Sequence, residues 1–124
     1  MKIRPIFIVN SIVATVFGLG FMFIPGFIFG LLGFSTEADG PLAMRFFGIM
    51  VLGVGVLTFS ARNSPDNISR KAIVLSLFTI YTLMPIFHFW TIFGLGKGNI
   101  MLWSVIVLHG IFAILYGISI FKKT

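Results

Sequence analysis

Four residues of this 124-residue chain combine a reactive or strongly polar side chain with a place in or beside a long apolar segment: Asn10, Arg45, His88 and His109. His88 follows Pro85-Ile86-Phe87, and His109 stands midway along the last apolar run. An imidazole carries protons and serves as an axial ligand for haem or a chlorophyll-type pigment, and ionisable groups within membrane spans mark functional sites by default. Counted from the turn near Gly96, His88 is eight residues away and His109 thirteen. The difference in depth is about 7 Å at 1.5 Å per residue, which makes a flat haem shared by the two awkward. The simpler reading is a neutral imidazole bonded to a backbone carbonyl or to a neighbour such as Tyr81. Arg45 suits either an anion or substrate contact at an outer vestibule, or a snorkelling side chain paired with Glu37 or Asp39. Asn10, with Ser11 and Thr15, gives the first apolar segment a polar edge.

The acids are Glu37, Asp39 and Asp66, and none falls inside an apolar run. Cysteine is absent, which removes thiol nucleophiles, thiolate metal sites and disulfides. No Gly-x-Ser-x-Gly elbow, phosphate-binding glycine loop or His-Glu-x-x-His pair occurs. An enzyme is therefore not expected, nor a metal site; the one cofactor with residues to hold it would be a haem or pigment on a histidine.

What must position these residues follows from composition. Hydrophobic side chains make up 58% of the chain and charged ones 10%, with a mean hydropathy of +1.11. One small domain cannot hide that much apolar surface from water, so the lipid bilayer is its solvent. Charge-free runs extend from Pro5 to Thr36, Phe46 to Ala61, Ala72 to Gly96 and Gly98 to Phe121. All but the second exceed the roughly 20 residues needed to cross about 30 Å of hydrocarbon as a helix. They lack the strict alternation of barrel strands.

The chain thus reads as an all-α, polytopic, antiparallel four-transmembrane-helix bundle, a single domain over 1–124, with helices near 6–33, 41–61, 66–93 and 99–121. The second run is short, so Arg45 lies about one turn inside its helix, after Pro41 in the first turn and a cap from Asp39 or Gly40. Asn63-Ser64-Pro65-Asp66 supplies a cap, a first-turn proline and an acid for the third helix. Pro25 and Pro85 should kink the first and third helices.

The net charge of +6 is a matter of placement. Lys2, Arg4, Arg62, Arg70, Lys71, Lys122 and Lys123 fall on one side of the bundle; Arg45 and Lys97 fall on the other. Seven against two puts both termini in the cytoplasm and accounts for the basic balance without nucleic acid. The basic side suits anionic lipid head groups. The first segment is far longer than a signal-peptide h-region and no Ala-x-Ala site follows, so a retained helix is expected.

Helices in lipid associate by close packing and by hydrogen bonds. Ala14 with Gly18, Gly26 with Gly30, and Ala113 with Gly117 are small pairs four apart, and Gly48 and Gly55 stand two turns apart; all are expected at helix contacts. His109 shares the Ala113 and Gly117 face. Trp90, Trp103 and Tyr116 suit interfacial or near-interfacial anchoring. Ile28-Phe29-Gly30-Leu31 after Pro25, and Ile92-Phe93-Gly94-Leu95 after Pro85, raise the question of two repeated hairpins, although so biased a composition produces such a match by chance equally well.

The segment Ala43-Met44-Arg45-Phe46-Phe47-Gly48, the glycine-rich run to Ser60-Ala61-Arg62, then Ser64-Pro65-Asp66 and Arg70-Lys71-Ala72, resembles a widespread group of small, uncharacterised four-span bacterial inner-membrane proteins. The late proline of the first helix and Asn99 to Trp103 are similar too. The resemblance implies the four-span fold and an inner-membrane location, and no activity or catalytic residues. The expected function is a non-enzymatic accessory or assembling subunit, a homo-oligomer or part of a larger membrane complex. One alternative is a small transporter or channel using Arg45, Asn10 and Thr15. The other is a haem- or pigment-binding subunit using His88 or His109.

Overall fold

A computed structural model describes residues 2–35 and 40–122. Its elements are α1 (Ile3–Phe23), α2 (Pro25–Leu31), α3 (Gly40–Ala61), α4 (Ile68–Phe89), a π-helical turn (Trp90–Gly94) and α5 (Ile100–Phe121). Four helices, Ile3–Phe23, Gly40–Ala61, Ile68–Gly94 and Ile100–Phe121, are long and apolar enough to cross a membrane, and no strand occurs among the described residues. The protein is an all-α integral membrane bundle.

Local chemistry explains where the helices begin and end. The first apolar run is not one kinked helix. It breaks at Ile24, whose φ of −133° and ψ of 52° are not helical, and Pro25 opens the short α2 at the position where a missing N–H costs nothing. Pro85 does lie inside α4, where the carbonyl of Tyr81 loses its usual N–H partner. The third span is capped later than expected: Asn67, not the Asn63-Ser64 pair, caps α4 by accepting from the Arg70 N–H at 3.0 Å. Asn99 caps α5 through the Met101 N–H at 3.0 Å and donates to the Leu31 carbonyl at 3.0 Å. That second bond ties the end of α2 to the start of α5. Gly33 lies beside it with φ of +80°, and a Cβ there would stand 2.8 Å from the Gly98 carbonyl carbon. Only glycine meets both demands. The proposed Asp39 cap and the Glu37 and Asp39 partners of Arg45 lie outside the described residues.

The bundle is two antiparallel hairpins, α1 with α3 and α4 with α5. Glycines make the first hairpin tight. A Cβ on Gly18 would lie 2.7 Å from the Leu52 nitrogen, and one on Gly48 2.8 Å from both the Gly18 oxygen and the Met22 nitrogen. Gly55 faces Thr15 in the same seam, where a Cβ would meet Thr15 Oγ1 at 2.6 Å, and Ala14 is buried. Gly26 and Gly30 differ from expectation, because a Cβ on either would meet nothing within 4 Å; α2 is too short and too exposed to pack them against a neighbour. The proposed hairpin repeat is not mirrored in local structure: Ile28 to Leu31 ends a short separate helix, whereas Ile92 to Gly94 lie in the π-helical turn.

Large side chains join the two hairpins. Phe7, Leu77, Tyr81, Phe112 and Tyr116 form the core with Ile3, Ile6, Ala61 and Val74. Trp90 and Trp103 are exposed. Tyr116 is not an interfacial anchor, for it is fully buried at 0% exposure; its hydroxyl finds a partner inside the bundle and needs no head-group water.

Candidate functional site

The buried polar cluster is built on Asn10 of α1, itself 0% exposed. Its side-chain amide donates to Tyr116 Oη at 2.7 Å, and its carbonyl oxygen accepts from the Tyr81 hydroxyl. Both tyrosines of the chain therefore converge on one asparagine. The amide carries donors and an acceptor at one end, so it can answer two phenols from two different helices. Hydrocarbon offers no competing partner, which makes this the polar junction between the hairpins.

An aromatic file leads from that junction into the second hairpin. The Tyr81 and Tyr116 rings stack with centroids 6.0 Å apart and 13° between planes; Tyr81 in turn stacks on His109 at 5.4 Å and 28°. His109 stands 5.8 Å from His88, the two rings tilted by 42°. The depth argument that separated the histidines placed the turn symmetrically at Gly96. The helical path of α4 instead ends at Gly94 and α5 begins at Ile100, so the two residues lie six and nine positions from their helix ends. The remaining offset of about 4.5 Å is within reach of two imidazole side chains.

His88 Nε2 and Thr82 Oγ1 are buried and have no hydrogen-bond partner among the described residues, whereas His109 is directed to the backbone of Val105 one turn before it, the carbonyl partner expected for a neutral imidazole. Tyr81 does not serve either histidine as a hydrogen-bond partner; its ring stacks on His109 while its hydroxyl turns to Asn10. Among the described residues no three His, Cys, Asp or Glu side chains gather as a metal site would require. The cluster can hold and orient a hydrogen-bonding group, and each imidazole has a nitrogen to offer.

Of the residues singled out in the sequence, Asn10, His88 and His109 belong to one cluster. Arg45 does not: it sits in the second turn of α3, at the other end of the first hairpin from Asn10, and is exposed. Thr15 lies in the glycine seam. Ala113 packs at the edge of the core, and Gly117 faces Phe78 of α4, whose ring would lie 3.1 Å from a Cβ there. The face of α5 that carries His109 and Gly117 is thus turned to α4. Tyr116 is the site residue that sequence reasoning missed. The available signal was that an asparagine buried in a span demands partners, and the chain has only two phenols to supply them.

Beside this cluster runs an open groove of about 480 Å³ between α4 and α5, lined by Phe78, Thr82, Ala113, Ile114, Gly117 and Ile118 and, at one end, by Phe121 and Lys122. Ser76 and Thr79, also on α4, return their hydroxyls to the carbonyls of Ala72 and Leu75 at 2.9 and 3.0 Å; Thr82 does not. Comparison of the chain with family models, with curated proteins and with solved structures yields no match.

Proposed function

We propose that this integral membrane protein is a non-enzymatic assembling subunit of the bacterial inner membrane, and that it associates with a second copy of itself through the α4–α5 groove. The observation that carries the reading is the Thr82 hydroxyl, buried at an apolar groove without a partner. Acyl chains fill such a groove but leave the hydroxyl unsatisfied, whereas a helix brings polar groups. A second copy fits because Gly110 of α5 faces open space, so a neighbouring helix can approach its backbone closely there. Ile114 and Ile118 supply ridges on the same helix. A patch holding both groove and ridge is self-complementary, as a two-fold contact requires. The resemblance to small four-span inner-membrane proteins agrees with the location.

Subunit counting of the labelled protein at high dilution in lipid nanodiscs or vesicles tests this. The expected result is a dimer that Gly110→Leu or Ala113→Phe converts to monomer with unchanged helicity. A monomeric wild-type protein, or a dimer indifferent to both substitutions, would overturn it.

A second reading, haem or pigment binding, rests on the unpartnered His88 Nε2 and on the His109 ring, 5.8 Å from the His88 ring. Its test is an absorption spectrum of the protein purified in mild detergent: a Soret or pigment band lost in His109→Leu supports it, and its absence from the wild type sinks it.

A further inference from the structure

The end of the bundle that holds the described ends of the chain has a depression of about 500 Å³ surrounded by Lys2, Arg4, Arg62, Ser64, Asp66 and Arg70. Four cations face one carboxylate. Two of the cations are braced before any ligand arrives. Arg62 Nη1 donates to the Phe59 carbonyl at 2.6 Å, with the guanidinium carbon 3.7 Å above the Phe59 ring centre. Arg70 Nη1 donates to the Ser64 carbonyl at 3.2 Å, and its Nη2 pairs with Asp66 at 2.9 Å. Each guanidinium has five N–H donors in a fixed fork, so these contacts orient both groups, and the Phe59 carbonyl contact of Arg62 leaves that fork able to donate to a ligand. Ser64 Oγ is buried without a partner at the same place. The start of α1 adds uncapped backbone N–H groups, because the Lys2 side chain makes no capping bond.

We propose that this depression binds the phosphate of an anionic phospholipid head group. Fixed guanidinium forks, a lone hydroxyl donor and a helix start together match the oxygens of a phosphate group and suit no apolar or cationic ligand. A lipid is the source because the depression sits where α1 begins, α3 ends and α4 begins, at the limit of the apolar spans. Head groups lie at that depth. The site is independent of the groove and of any dimer.

The test uses the full chain in neutral detergent, titrated with dioctanoyl phosphatidylglycerol, dioctanoyl phosphatidylcholine or inorganic phosphate, with bound molecules counted by native mass spectrometry and affinity read from thermal shift. Phosphatidylglycerol should bind, and Arg4→Gln should weaken it about five-fold, the worth of one near-surface cation. Ser64→Ala, which changes no charge, should also weaken it. Lys71→Gln removes an exposed cation that does not line the depression and should leave affinity unchanged. Equal binding of phosphatidylcholine would overturn the proposal by showing that charge is not recognised. Equal binding of inorganic phosphate would overturn the lipid assignment. Weakening by Lys71→Gln as large as by Arg4→Gln, or full affinity in Ser64→Ala, would reduce the effect to the diffuse field of a basic surface and likewise overturn it.

Discussion

Asn10 holds the hairpins together through bonds that lipid cannot replace, and this fixes the order in which substitutions should hurt. Asn10→Leu keeps the volume and strands two buried hydroxyls; Tyr81→Phe and Tyr116→Phe each remove one bond and keep the ring contacts with Phe112. Interhelical hydrogen bonds in membranes contribute about 0.6 to 2 kcal/mol each, so Asn10→Leu should lower unfolding stability in micelles by about 1 to 3 kcal/mol and either phenylalanine by about half as much. Asn10→Leu as stable as Tyr116→Phe would show that the junction is not cooperative. At His109, stacking on Tyr81 predicts that His109→Phe is milder than His109→Leu, since the second ring face is retained. Arg45, exposed near the start of its helix, should tolerate Lys and lose modest thermal stability as Ala. If Lys fails as badly as Ala while the fold is intact, Arg45 holds a bidentate contact. Asn10 and the histidines were legible as polar groups in apolar runs. Their convergence was not, because it depends on the axial offset of α4 and α5, which residue counting from an assumed turn misjudged.

Glycine positions give the clearest predictions among the helices, since the same residue does opposite things in one of them. A methyl on Gly48 would collide with backbone atoms of Gly18 and Met22, so α1 and α3 must move apart to admit it; a methyl on Gly53 meets nothing within 4 Å. Gly48→Ala should therefore destabilise the hairpin, as should Gly18→Ala, whereas Gly53→Ala should be neutral or stabilise by about 0.5 to 1 kcal/mol through helix propensity. Comparable destabilisation by Gly48→Ala and Gly53→Ala, measured by steric trapping or detergent unfolding, would contradict the seam. The spacing of small residues revealed this contact because close backbone approach leaves no other choice of residue type. Proline revealed less. Pro25 and Pro85 each remove one N–H, but one opens a new helix and the other is absorbed within α4, and the packing around them decides which. The π-helical turn after Phe89 carries no comparable residue signature.

At the scale of the whole molecule, the flanking charges predict a direction in the membrane. The spans themselves were legible from charge-free length, because a helix buried in hydrocarbon must be both apolar and long. Their orientation is a prediction from Lys and Arg flanks counted seven against two: the Arg62 to Lys71 loop and both termini are expected in the cytoplasm, and Arg45 and Lys97 outside. The absence of cysteine makes this testable with no background. Ser35 and Ser69 are both exposed and lie at opposite ends of the bundle. In intact cells, Ser35→Cys should react with a membrane-impermeant maleimide, and Ser69→Cys should react only after permeabilisation. The reverse pattern would invert the protein. Labelling of both positions from outside would mean two orientations coexist, and a parallel two-fold dimer through the α4–α5 groove would then form only between copies inserted the same way, since the groove's Lys122 end marks one side of the membrane.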